Sequence, residues 1–238
     1  MITEKKAIDR QREAAISMEI AGVEDGEVKG MLPIGGVMHI IKERGIYAVK
    51  LADAIDPQRT NPEIPNTQQR VLACGSDSKL VGRTLLTART MFNENYLPES
   101  FDHDRALAIA FEALKELIGM GEVARDYVAA EKAASDLFMS QRQTRVSLVV
   151  PSIGDVESRC KNFIQKADHV CGALYGITGL FYKVPVKGCN FLAELCRGNY
   201  GKDDPFTRFL VDDGTGLLRP PYRRQRRHQR RLGSLLHL

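Results

Sequence analysis

The stretch Val156–Leu174, VESRCKNFIQKADHVCGAL, decides the fold class that the sequence predicts. Its apolar residues recur at alternating spacings of four and three, which places them on one face of an α-helix. Ser152 and Asp155 precede it and resemble a capping box with Asp in the place of Glu. The stretch therefore predicts an amphipathic helix. Its apolar stripe comprises Val156, Cys160, Phe163, Ala167, Val170 and Leu174.

The segments on both sides carry similar helical signals. Gly119 and Gly121 are expected to end one helix before the next begins. Asp204 is expected to cap the last helix, with Pro205 at its first position. The predicted fold class is mainly α, an antiparallel helical bundle with an irregular N-terminal portion. The further helices are predicted over 77–92, 104–118, 122–141, 189–197 and 206–211.

The N-terminal portion gives mixed signals. Its pattern predicts short helices over 37–44 and 46–55. A pair of strands is the alternative, because Ile40, Ile41 and Tyr47 also suit a sheet.

A proline-rich loop over 56–69 is the predicted boundary of this portion. The chain then divides into an N-terminal helix with an irregular loop region (1–72), a helical bundle (73–218) and a basic tail (219–238). The N-terminal helix is predicted over 3–21.

The composition is that of a folded globular protein: of 238 residues, 43% are hydrophobic and 27% are charged. No apolar run approaches the roughly 18 residues of a membrane span, and the first residues do not resemble a secretory signal. Five cysteines without clustered spacing favour a reducing compartment. We therefore expect a cytoplasmic protein without a membrane partner.

The sequence lacks the usual motifs of cofactor and metal sites. Ile34-Gly35-Gly36 has neither the Lys-Ser/Thr ending of a phosphate-binding loop nor the spacing of a dinucleotide fingerprint, so no cofactor is expected. The cysteines lack the tight knuckle of a zinc site and are expected to pack as small apolar side chains instead of binding a metal. The two cysteine pairs in question are Cys160 with Cys171 and Cys189 with Cys196.

The net charge of +4 originates in the tail. Seven arginines and no acid follow Leu218, and the rest of the chain carries about −3 without them. Such a run attracts nucleic-acid phosphates. The abrupt change of composition also fits translation in a wrong reading frame, so two origins of the tail remain open. The predicted nucleic-acid-binding residues are Arg223, Arg224, Arg226, Arg227, Arg230 and Arg231.

The segment Tyr200–Leu210, YGKDDPFTRFL, together with Phe181–Lys187 and Phe191–Leu195, resembles the C-terminal half of HEPN-type helical domains, most clearly over Asp203–Leu210. In these a similar turn precedes a helix carrying Arg-Asn-x3–4-His. The resemblance extends over about Glu122–Leu210 and implies an up-and-down helical bundle, often dimeric. For catalytic members it implies metal-independent RNA cleavage in toxin or phage-defence systems. Arg223 and His228 match Arg-x4-His without the asparagine and are the catalytic candidates.

Two functions follow from these patterns. The first is an RNA-binding or RNase-like protein of a toxin or defence system, with RNA as its partner. The second is a non-catalytic protein that binds a helical protein partner or a second copy of itself, because the stripe over 156–174 suits helix packing.

Overall fold

The computed structural model describes residues 6–14, 20–141, 150–183, 186 and 188–211. The chain divides into two compact units, unit 1 (Met1–Ala167) and unit 2 (Asp168–Leu238). The strands of unit 1 are β1 (Val28–Ile34), β2 (Val37–Lys42), β3 (Ile46–Lys50) and β4 (Thr67–Leu72). Its helical segments are α1 (Ala7–Ala14), a 3-10 turn (Val23–Asp25), α2 (Ala52–Ile55), α3 (Lys79–Val81), a π-helical turn (Gly82–Leu86), α4 (Thr87–Met91) and α5 (His103–Gln141). Helix α6 (Val156–Tyr182) begins in unit 1 and ends in unit 2, which also holds α7 (Cys189–Tyr200) and α8 (Pro205–Phe209).

These elements make an α+β protein, so the predicted mainly α bundle with an irregular N-terminal portion is wrong. The portion in question folds as an antiparallel sheet in the order β1-β2-β3-β4. Gly35 and Gly36 join β1 to β2 with φ angles of 57° and 74°. This left-handed conformation is the one that a two-residue hairpin requires and that glycine adopts without strain. The strand pair, and not the helices over 37–44 and 46–55, is therefore correct.

The prediction failed at β2 because both faces of this strand are covered. His39, Ile40, Ile41 and Lys42 are all buried. A strand that is buried on both faces lacks the alternation of apolar and polar residues that marks a half-exposed strand. The remaining sequence signal for a strand is the pair of β-branched residues Ile40 and Ile41, whose shape fits a pleated surface better than a helix.

One face of the sheet packs on the helices of unit 1. Helix α5 contributes only its first turns to this core, and Leu114 is fully buried there. His39 lies on the same face, where its ring meets Phe111 edge-on at 4.8 Å between centroids. Burial lowers the pKa of His39. The core comprises Leu32, Ile34, Ile41, Ile46, Leu72, Val81, Leu85, Ala88, Leu107, Ala110, Phe111 and Leu114.

The other face of the sheet buries a carboxylate. Tyr47 donates a hydrogen bond to Asp25 at 2.6 Å, and Arg70 donates to the second oxygen at 2.8 Å. A Cβ atom at position 45 would lie 2.3 Å from this carboxylate, so only Gly45 allows the approach. The hydrogen bond to Asp25 is the main cause that raises the pKa of Tyr47 to about 12. The buried charge is thus fully paired, as burial demands.

Helix α5 continues through the glycines that were expected to end it. A Cβ atom at position 119 would lie 2.8 Å from Lys166 Nζ. Lys166 uses this space to donate to Glu116 at 3.1 Å. Gly119 therefore makes room for a side chain of α6, and its expected role as a helix end is wrong.

Across the described ranges, no helix combines the length and the apolar character needed to cross a membrane.

The buried Tyr47 hydroxyl gives a stability prediction. Tyr47→Phe removes a hydrogen bond to a buried carboxylate, and we expect the free energy of unfolding to fall by about 1.5–3 kcal/mol. The measurement is denaturant unfolding. Tyr96→Phe is the matched control, because Tyr96 is 73% exposed whereas Tyr47 is 5% exposed. Equal stability of the Tyr47→Phe variant and the wild type would contradict this account.

Candidate functional site

The positive charge of the chain is concentrated in unit 2. Residues 168–238 contain twelve Lys and Arg against six Asp and Glu, a net charge of +6. Unit 1 accordingly carries −2 of the total of +4. Seven of these cations follow Leu218, and residues 168–218 alone carry −1, so a polyanion bound by the described part of unit 2 must be attracted by a local cluster of cations.

A small apolar core positions α7 and α8 in unit 2. Leu192, Ala193 and Cys196 lie on one face of α7 and pack with Leu210, which follows α8. Because successive buried positions of α7 face this core, the neighbouring Arg197 is directed to solvent. The core thus orients the polar faces of both helices outward.

The turn between α7 and α8 is fixed by a cap. The Asp204 carboxylate accepts a hydrogen bond from Thr207 N at 2.8 Å, and Pro205 occupies the first helical turn. The predicted cap and the predicted first position are both confirmed. Thr207 is buried, so the side of α8 that carries it is held in place.

Three cations surround a cavity of about 400 Å³ at this turn. We call Arg197, Lys202 and Arg208 the basic patch. All three are exposed. Arg208 pairs with Asp203 at 3.1 Å, but both side chains are largely in water, where such a pair contributes little. Within the part of the chain that the structure describes, Arg197 and Lys202 have no ion pair. The patch is therefore open to an external anion.

Aromatic side chains lie exposed on the same two helices. Tyr200 at the end of α7 is 58% exposed, and Phe206 and Phe209 on α8 are each 46% exposed. Tyr200 contacts the half-buried Tyr182 at 6.3 Å between ring centroids. Surfaces that bind single-stranded nucleic acid combine exposed rings, which stack on bases, with cations, which bind phosphates.

The hydroxyl of Tyr182 anchors this aromatic pair. It lies 3.3 Å from Cys196 Sγ. Burial, followed by hydrogen bonding to Cys196 and Tyr200, raises the pKa of Tyr182. The hydroxyl therefore serves as a fixed structural group through its contact with Cys196.

The residues that were predicted to form the site fall outside the part of the chain that the structure describes. Arg223 and His228, the catalytic candidates, fall outside the described residues and stay a prediction. The same holds for the other arginines of the tail, which are Arg224, Arg226, Arg227, Arg230 and Arg231. Sequence reasoning missed the basic patch, because its cations are separated by five and six positions and form no run. The predicted cap at Asp204 is the signal from which the proximity of these three cations could have been inferred.

The cysteines that were weighed as zinc ligands lie in different surroundings: Cys160 is exposed, Cys171 is half-buried and Cys196 is buried. Among the described residues, no three His, Cys, Asp or Glu side chains are placed to hold a metal ion.

Comparison with protein-family models, with curated proteins and with solved structures finds no match to this chain.

The cap gives a prediction about local stability. Asp204→Ala should weaken α8 by about 0.5–2 kcal/mol, because Thr207 N loses its acceptor. Hydrogen–deuterium exchange of the backbone amides in 206–211 measures this loss as faster exchange. Asp203→Ala is the matched control, since its carboxylate is 94% exposed and should leave the exchange unchanged. Equal exchange in the two variants would contradict the role of the cap.

Proposed function

We propose that this protein binds single-stranded RNA through the basic patch and the exposed aromatic residues of α7 and α8. The observation that carries the proposal is the convergence of Arg197, Lys202 and Arg208 on one cavity. Its volume of about 400 Å³ falls in the range of small-ligand sites. The net charge of +6 on unit 2 originates in the seven arginines after Leu218, so the proposal rests on the patch itself.

Two observations favour RNA over other polyanions. The first is the set of exposed rings at Tyr200, Phe206 and Phe209, which a polyanion without bases would leave unused. The second is the resemblance of Tyr200–Leu210 to HEPN-type domains, whose catalytic members act on RNA. Unpaired bases are the part of RNA that such rings can reach.

The basic patch is tested by binding of a labelled poly-U RNA of about 20 nucleotides, followed by fluorescence anisotropy. The triple variant Arg197→Ala, Lys202→Ala, Arg208→Ala should raise the Kd at least about tenfold. It should also flatten the dependence of log K on log salt by about 2, since each single-strand phosphate contact contributes about 0.7.

A matched triple variant in unit 1, Lys50→Ala, Lys79→Ala, Lys132→Ala, removes three exposed cations and should leave the Kd within about twofold. The tail is tested in the full chain by changing its arginines at 223, 224, 226, 227, 230 and 231 to glutamine. Loss of all binding in this variant, together with unchanged binding in the basic-patch triple, would assign RNA binding to the tail and contradict the proposal.

The aromatic residues give a separate prediction. Tyr200→Ala and Phe206→Ala should each weaken RNA binding by about 1–3 kcal/mol, because a stacked base loses its platform. Binding of inorganic polyphosphate should not change, since it has no bases. Tyr96→Ala is the control, because Tyr96 is an exposed ring of unit 1. A parallel loss for RNA and polyphosphate would contradict base stacking.

A further inference from the structure

An apolar surface runs along the second half of α5 and remains uncovered. None of the residues 115–140 is buried, and all of them belong to the described part of the chain. Helix α6, described throughout, likewise contains no buried residue. Val128 is 61% exposed and Ile164 is 57% exposed. Two amphipathic helices of this length normally bury their apolar faces, so this surface has the character of an interface.

Two cavities follow one another along this surface within unit 1. The first has a volume of about 400 Å³ and lies between α5 and the first turns of α6. The second has a volume of about 450 Å³ and lies between the end of α5 and residues 150–153. We call the two together the α5–α6 groove. The first is lined by Val123, Ala124, Tyr127, Val128, Arg159, Cys160, Phe163 and Ile164, and the second by Glu131, Ala134, Ser135, Phe138, Met139, Val150, Pro151 and Ile153.

Each half of the groove carries one charged side chain. Arg159 lines the first cavity, and its Nη1 atom is buried without a hydrogen-bond partner in the described ranges. Glu131 lines the second cavity, is exposed, and makes no ion pair within those same ranges. Arg159 likewise makes no ion pair within the described ranges. An occupant that presents an anion to the first cavity and a cation to the second, beside apolar side chains, therefore complements the groove.

A second copy of this chain supplies both features. On α5, Val123, Tyr127, Glu131, Ala134 and Phe138 follow one another at spacings of four and three, the repeat of helices that pack in bundles. In a twofold pairing every contact between two different residues occurs twice. An arginine of one copy that meets a glutamate of the other is therefore matched by the reciprocal pair.

We propose that the α5–α6 groove is covered by the α5–α6 groove of a second copy, forming a four-helix bundle in which Arg159 pairs with the partner's Glu131. The apolar linings of the two grooves then bury each other, and the guanidinium of Arg159 gains a carboxylate partner across the interface. This assembly is independent of RNA binding, because it uses residues of unit 1 only.

The pairing is tested by charge reversal in the full chain, with analytical ultracentrifugation as the measurement. Arg159→Glu and Glu131→Arg should each raise the dimer dissociation constant at least about tenfold, because each places like charges opposite one another. An equimolar mixture of the two variants should dimerise like the wild type, since every pair across the interface is then of opposite charge. A pair formed inside one chain cannot be restored by mixing.

The remaining outcomes decide against the proposal. A wild-type chain that stays monomeric at all accessible concentrations overturns it, as does a dimer that neither reversal weakens. Rescue by the double variant Arg159→Glu, Glu131→Arg in one chain, without rescue in the mixture, also overturns it. Lys132→Glu is the charge-reversal control beside the groove and should leave the dimer intact.

A second variant tests the apolar part of the groove. Val128→Asp should abolish the dimer without changing the circular dichroism spectrum, because a side chain that is 61% exposed in one copy is not needed for its folding. Val23→Asp is the matched control, since Val23 is 84% exposed and lies outside the groove. A Val128→Asp variant that dimerises like the wild type overturns the proposal.

Discussion

The contact between the sheet and the first turns of α5 is the constraint on which unit 1 depends. Leu107, Phe111 and Leu114 cover the inner face of the sheet, and the buried residues of α5 all belong to this part of the helix. The rest of the 39-residue helix is therefore held in place by the packing of its first turns. A helix of this length is stable because it propagates from a fixed nucleus, and most of that stability comes from packing of one end.

On the other face of the sheet, buried polar groups are paired with one another. Asp25 would be a costly residue to bury, but Tyr47 and Arg70 satisfy both of its oxygens. Lys42, at the end of β2, is also buried and donates to the carbonyls of Ala21 and Gly22. These hydrogen bonds hold the segment before β1 against the sheet. Because β2 is covered on this side as well, the strand has no exposed polar face that the sequence could show.

The sequence reveals local structure well wherever a cap or a turn decides it. Asp204 with Pro205 predicts the start of α8 correctly, because both residues act within one turn. It misleads where tertiary contact decides: β2 is covered on both faces, and Gly119 faces a lysine of another helix. The basic patch could not be predicted for the same reason, since Arg197, Lys202 and Arg208 converge only after α7 and α8 fold onto their core.

The uncovered half of α5 has a consequence for how this chain can change over evolutionary time. Residues 115–140 contribute no buried side chain to the fold of a single copy. In a lone chain, polar substitutions at Val123, Tyr127 or Phe138 would cost little stability and would accumulate. Selection for a covered groove would instead keep these positions apolar while the outer face of the helix drifts. The pattern of substitution along α5 would then show whether the groove has been covered by another chain during evolution.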